Sequence, residues 1–337
     1  VKSTLHISIG LFALVCVLIV LELTFGPVSI PVKDVFRVLM GGESSNSAWN
    51  TIVMESRLPR ALTAAVGGGA LALAGLLMQT LFRNPLASPD ILGVTGGASL
   101  GVALLLLSTG GTGLALGNMS SDVSIALSAM MGAMGVLLFI LMVAQRIADN
   151  LTLIIFGVMF SFLSGAWVSA LQFKSTGESL RSFVIWGLGS FADTDFSQIT
   201  WMVTVLLIAL VVVILILPRL NLLLLGERYA ASMGLHVRNT RALILVITGL
   251  LTGIVTAFCG PISFIGLAVP HIARMLTKTS DHYKLLFPMV LSGCALGLLS
   301  DLGARYFELP VNTIASAWGA PFILFILWRG SGDKAII

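Results

Sequence analysis

RLPRALTAAVGGGALALAGLLMQTLFRNPLASPDILGVTGGASLG, residues Arg57–Gly101, is the stretch from which the fold of this chain can be read. Two arginines flank Leu58-Pro59, and about twenty uncharged residues follow, enough to cross a bilayer as a helix. The run breaks at Arg83-Asn84-Pro85 and again at Ser88-Pro89-Asp90. It resumes with Gly93, Gly97 and Gly101 at every fourth position, on one face of the next helix. Small residues at that spacing let a neighbouring backbone approach closely inside a membrane. One segment thus supplies a charged mouth, a span, a polar hinge and a tight packing face. The glycines alone would fit two ordinary spans joined by a loop.

The composition sets the class. The chain has 337 residues, 57% of them hydrophobic and 10% charged, where soluble domains carry roughly a quarter charged. Its mean hydropathy is +1.03. A bilayer core tolerates only internally hydrogen-bonded backbone, so the expectation is an all-α membrane protein. The net charge of +4 is read as a topology signal rather than a nucleic-acid footprint. Cys16, Cys259 and Cys294 each stand alone in apolar runs, with no CxxC pair. Neither disulfides nor zinc are expected. The first apolar run, His6–Phe25, is too long for a signal-peptide core and lacks a small-x-small cleavage site, so it is read as a span.

Apolar runs bounded by Gly, Pro and charge give about ten spans, near 6–26, 59–82, 90–108, 122–144, 151–172, 198–217, 241–259, 263–277, 285–303 and 311–328. They form a single membrane domain over 1–337. An outer connection, 27–56, contains PVKDVFRVLM with the apolar spacing of a short amphipathic surface helix. With the N-terminus inside, one side collects 12 of the 19 lysines and arginines. The positive-inside rule then puts both termini in the cytoplasm.

Four motifs stand out. Arg57 and Arg60 sit at the outer end of the second span, and Arg305 at the outer end of the ninth. Interfacial arginines commonly anchor a helix by snorkelling; the functional alternative is a docking patch for acidic groups of an external partner. The Arg83–Asp90 connection is forced out of helix by two prolines, as a rigid turn or as a gate beside a cavity. Pro218–Arg241 is too polar to span; Glu227–Met233 reads as a short helix stopped by Gly234, in an ordinary loop or a docking element. Gly260–His271 combines helix breakers with a lone histidine, read as structural rather than metal-binding. No glycine precedes a lysine, which excludes a Walker A loop. The spans hold almost no ionisable groups, with Glu22 and Asp301 near membrane edges, so an ion-coupling site is not expected. Energy for transport would come from another subunit.

RLPR, RNPLASPDILGVTGGASLG, GPISFIGLAVPHIAR and ELPVNTIASAWGAP, in this order and spacing, resemble the FecCD-type permeases of ABC importers for ferric siderophores, haem and cobalamin. The resemblance covers essentially the whole chain. It implies a ten-span type II importer subunit of the bacterial inner membrane, without cofactor, that pairs with a second permease subunit. Two cytoplasmic ATPase subunits dock below and a soluble or lipid-anchored substrate-binding protein docks above. The matching residues imply binding-protein docking at Arg57, Arg60 and Arg305. They imply a cytoplasmic gate at Asn84, Pro85 and Leu86 with Asn150, Leu151 and Thr152. ATPase coupling falls on Leu225, Gly226, Glu227, Arg228, Ala230, Ala231, Met233, Gly234 and Leu235. One departure is Asn312, where ELPVG is usual; asparagine there can cap a helix.

The expected function is translocation of a ferric siderophore along an interface built largely from the fifth and tenth spans, with Ser161, Ser164 and Trp167 as candidate lining residues. Haem or cobalamin is the alternative within the family. An ion-coupled secondary carrier, transporting alone and indifferent to ATP, is the rival of another class.

Overall fold

A computed structural model describes residues 2–108, 121–147 and 149–330. All regular structure among them is helical: α1 Lys2–Thr24, α2 Val32–Leu39, α3 Ser47–Thr51, α4 Leu58–Phe82, α5 Val94–Leu107, α6 Ser121–Arg146, α7 Asn150–Lys174, α8 Gly177–Gly187, α9 Phe196–Leu224, α10 Glu227–Ser232, α11 Val237–Cys259, α12 Ile265–Thr277, α13 His282–Phe307 and α14 Val311–Gly330. Seven helices are long and apolar enough to cross a membrane, and α5, α12 and α14 add shorter apolar segments at expected positions.

The centre of the bundle is α4. Its apolar window, with the helical lead-in, is 89% buried, against 11% for α1 and 17% for α7. Small residues make this possible. A Cβ on Gly75 would overlap the Gly266 carbonyl of α12, and one on Gly68 would overlap the Gly293 carbonyl of α13. Backbones therefore touch where side chains would hold them apart, which is how helices gain packing energy in lipid.

The glycine ladder divides its work. Gly97 and Gly101 face Gly132 and Ser128 of α6, while Gly93 lies between Val136 of α6 and the backbone of α7. It precedes α5 in a left-handed conformation, φ +76°, and sits against Gly157 of α7. Gly93 thus packs just before the helix, which begins one residue later.

Two boundaries also differ. Helical structure leading into the second span starts at Ser47, and a π-helical turn, Ile52–Arg57, joins α3 to α4. Pro59 accounts for the turn: it lacks an N–H, and its ring crowds the carbonyl four residues before it. Likewise α9 runs through Pro218 to Leu224, so the connection expected from residue 218 begins at Leu225. Inside a bundle, neighbouring groups can tolerate a helix proline.

The surface helix α2 forms as expected, burying Val35 and Val38 against Leu23, Ile30 and Val53. Helix α8 was not expected; Thr176 caps it through the Ser179 N–H.

Two ends of the bundle can be distinguished. The proximal end carries the start of α1 and the connections around residues 83–90, 147–150, 225–236 and 278–281. The distal end carries the end of α1 and the three outer arginines.

Candidate functional site

At the distal end, the three arginines all bond to groups within the protein, Arg57 buried and Arg60 and Arg305 partly exposed. Arg57 is 4% exposed. Its Nη1 donates to the carbonyls of Leu23 at 2.7 Å and Thr24 at 2.9 Å, and its Nη2 donates to the Val28 carbonyl. Arg305 Nη1 donates to the Glu22 and Phe25 carbonyls, each at 3.0 Å. Both cations thus cover the last carbonyls of α1, the negative end of its dipole. The expectation that Arg57 is presented on an outer docking patch is corrected by this burial.

Arg60 and Arg305 share two fully buried acids. Arg60 Nε donates to Asp301 Oδ2 at 2.7 Å and its Nη2 to Oδ1 at 2.9 Å. Arg305 Nη2 donates to Glu22 Oε2 and reaches Asp301 Oδ2 at 3.3 Å. Glu22 and Asp301 are each 0% exposed. Sequence reading placed these acids near membrane edges without their partners. Charges removed from water need this compensation, since an unpaired buried ion costs several kcal/mol. The cluster ties α1, α4 and α13 together. Beside it opens a distal cavity of about 410 Å³, lined by Glu55, Asp122, Asp193 and Asp195 among others.

At the proximal end, the residues expected to gate and to couple meet. Arg83 ends α4 in a left-handed conformation, φ 47°. The following turn is fixed by Asn84, whose Oδ1 accepts from the Leu86 N–H at 2.9 Å. His271 Nε2 donates to the Pro85 carbonyl at 2.9 Å, tying α12 to this turn. Pro85 and Leu86 remain exposed. Asp90 is held by Thr95 Oγ1 at 2.8 Å; burial pushes its carboxyl above the usual range, partly offset by that hydroxyl.

Helix α7 starts at Asn150, with Asp149 accepting from Thr152 N at 2.8 Å and Thr152 Oγ1 at 2.6 Å. These bonds hold the Asp149 carboxyl below its usual range. Leu151 is exposed. Asn150 Nδ2 donates to the Leu81 carbonyl at 3.2 Å and to Glu227 Oε1 at 2.9 Å. Glu227 opens α10, and both its oxygens accept from Arg241 Nη2 at 2.9 Å.

Helix α10 closes as the sequence indicates. Leu235 N–H donates to the Ala230 carbonyl and Gly234 N–H to that of Ala231, with Gly234 at φ +86°. This is the Schellman arrangement, for which glycine is the fitting residue. Ala230 is buried, while Leu225, Arg228, Tyr229, Ala231 and Met233 point outward. Gly226 is covered by Arg83, whose Nη1 would lie 3.2 Å from a Cβ there.

Sequence reasoning missed three contributors. Arg241 completes the Glu227 pair. Gln79 accepts from Arg274 Nη1 at 2.6 Å and donates to the Leu267 carbonyl at 3.2 Å. His282 lies between Thr80 Oγ1 at 2.8 Å and Asn221 Oδ1 at 2.6 Å. The available signal was a polar residue inside an apolar run, but its partner could not be named. Asn312, the departure from ELPVG, does not cap its own helix. Its Oδ1 accepts from Ser263 N–H at 3.1 Å and fastens α14 to the irregular segment before α12.

The expected path residues separate as well. Ser164 is buried, and Ser161 is half-buried against Gly93 and Gly96. Neither lies on the open face of α7, which presents Ile155, Met159, Phe162 and Trp167.

The same architecture occurs in a solved ABC transporter described as of metal-chelate type, in an inward-facing conformation. The two share 30% identity and a TM-score of 0.84, over 96% of this chain and 99% of that one. The fold therefore defines the membrane-spanning permease subunit of an ABC importer. The vitamin B12 import system permease protein BtuC of Klebsiella pneumoniae is 36% identical over 297 residues, 86% of each chain. The hemin transport system permease protein HmuU of Yersinia pestis is 34% identical over 299 residues, 87% of this chain and 88% of its own. The chain belongs to the FecCD transport family, whose model matches residues 14–329. Permeases of this kind work with a second permease and with ATPase subunits.

Proposed function

We propose that this permease carries a bulky metal chelate, and within that class a ferric siderophore. The observation that carries the reading is the open wall of α7, where Ile155, Met159, Phe162 and Trp167 stand exposed. In a dimer of permeases such a wall offers a large solute few groups to bind, so it can pass without being trapped. The likeness to a transporter of metal-chelate type supports the class. The identities to cobalamin and hemin permeases favour a second reading, in which the chelate is one of those macrocycles.

The proximal end is taken as cytoplasmic, with residues 225–235 meeting the ATPase and Asn84–Leu86 and Asn150–Thr152 forming the gate. A substrate-binding protein docks at the distal end. There Arg60 and Arg305 keep an accessible edge, and Arg57 shapes the surface from beneath. ATP hydrolysis by the assembled importer tests the solute. Binding protein loaded with ferric siderophore is expected to stimulate it more than binding protein offered haem or cobalamin. Stimulation by a macrocycle alone would replace the siderophore reading with the second.

A further inference from the structure

We propose that Arg241 is the positioning residue that makes the α10 segment and the α7 turn move as one body, acting through Glu227. The inference rests on reading residues 225–235 as the ATPase-facing segment, and it adds a residue that lies outside that segment and outside the gate.

Arg241 occupies the second turn of α11 and is 4% exposed. A cation near a helix N-terminus is opposed by the helix dipole, and burial raises the cost further. Its neighbours supply the compensation. Nη2 donates to Glu227 Oε1 and Oε2, both at 2.9 Å. Nη1 donates at 3.0 Å to the carbonyl of Ile147, which follows the C-terminus of α6. Asn150 Nδ2 then joins Glu227 Oε1 to the Leu81 carbonyl in the last turn of α4.

One carboxylate therefore connects four elements: α10, α11, the turn into α7, and the end of α4. Helix α10 has only six residues, of which Ala230 alone is buried. A displacement of α10 longer than a hydrogen bond must either break the Glu227 contacts together or carry Asn150 with it. Both carboxylate oxygens are held by one charged guanidinium nitrogen while Asn150 holds Oε1 as well, and these charge-assisted contacts favour the second outcome. Arg241 fixes that carboxylate from the α11 side, so force on the outer face of α10 reaches the start of α7 without slack.

The test uses the full assembly, permease with its ATPases, in a Cys16→Ser background carrying Leu151→Cys at the exposed start of α7. The readout is the labelling rate of that cysteine by a membrane-impermeant maleimide, nucleotide-free and after trapping with ATP and vanadate. With Arg241 present, the two rates are expected to differ. In Arg241→Gln the ratio is expected to fall by roughly threefold to thirtyfold, the range seen for coupling residues, with the ATPase still bound.

Glu227→Gln provides the second variant should Arg241→Gln fail to fold; it keeps an acceptor for Asn150 and removes only the charge. A purely structural role would lower the melting temperature and leave the ratio alone. A ratio preserved in either folded variant overturns the proposal. No nucleotide response in the unsubstituted background, with ATPase bound, overturns the gating reading and this inference with it.

Discussion

Arg60 grips Asp301 through two parallel hydrogen bonds, Nε to Oδ2 at 2.7 Å and Nη2 to Oδ1 at 2.9 Å. The second arginine of the RLPR motif is thus bound to a fully buried acid on α13. Its first duty is to hold the distal ends of α4 and α13 in register. Whatever docks there meets a surface already organised by internal charge pairs.

Removing the acid alone should be severe. Asp301→Ala leaves Arg60 without its bidentate partner and weakens Arg305, and breaking a buried pair costs about 3–5 kcal/mol. Thermal or chaotrope unfolding in detergent should show that loss. Arg60→Met with Asp301→Leu removes both charges and should recover much of it. An Asp301→Ala variant that unfolds like the parent would refute the cluster's role.

Arg57 should behave as a cap rather than a contact. Hydrogen bonds to a charged group contribute about 1.5–3 kcal/mol each, so Arg57→Met should lower the unfolding midpoint clearly. The salt dependence of binding-protein affinity, by contrast, should match the parent, since screening acts mainly on exposed charges. A flattened salt dependence in Arg57→Met would place its guanidinium at the interface.

Two glycines on packed helices should separate. Gly75→Ala forces a methyl into the Gly266 carbonyl, an overpacking expected to cost about 1–3 kcal/mol. Gly135→Ala in α6 meets nothing within 4 Å. There alanine should be neutral or stabilising, up to about 1 kcal/mol from helix propensity. Unfolding midpoints of the two variants in one detergent decide the matter.

The sequence made the spans legible because each must be apolar over its whole length, whatever it packs against. It also exposed α10, since Gly234 is a local stop, and α2, since its apolar period is local. The distal cluster was not legible: Glu22, Arg60, Asp301 and Arg305 become neighbours only once α1, α4 and α13 are packed. Arg241 was hidden for the same reason, because charge counting treats it as a topology signal. The helical lead-in before α4 was not legible because Pro59 reads as a helix beginning, whereas a π-turn joins α4 to the preceding helix. Ser161 and Ser164 were polar residues on an apolar helix, and only packing against α5 shows which way they face.

Two acids should give opposite pH signatures. Asp281 caps α13 and accepts from Asn221 Nδ2 at 2.8 Å. That bond, ahead of the opposing effect of burial, holds its pKa below 3.8. Its contribution is complete above 3.8 and is lost as pH falls through the lowered folded value. The stability gap between the parent and Asp281→Asn should therefore be constant near neutrality and close only in strong acid. Asp90 is raised above 3.8 by burial, so protonation favours its folded state and that contribution is lost as pH rises through the folded value. Asp90→Asn should be at least as stable as the parent at pH 7. Unfolding midpoints across pH check both signs, and a gap for Asp281→Asn that widens in acid would contradict the first.

The most direct measurement is uptake into proteoliposomes containing the permease pair and its ATPases, with binding protein and labelled ferric siderophore outside and ATP inside. Accumulation that requires enclosed ATP, and that excess haem or cobalamin fails to suppress, is the expected result. Accumulation of haem or cobalamin with none of any ferric siderophore would contradict the proposed cargo. Uptake that proceeds without ATP, driven by an ion gradient, would contradict the coupling through α10.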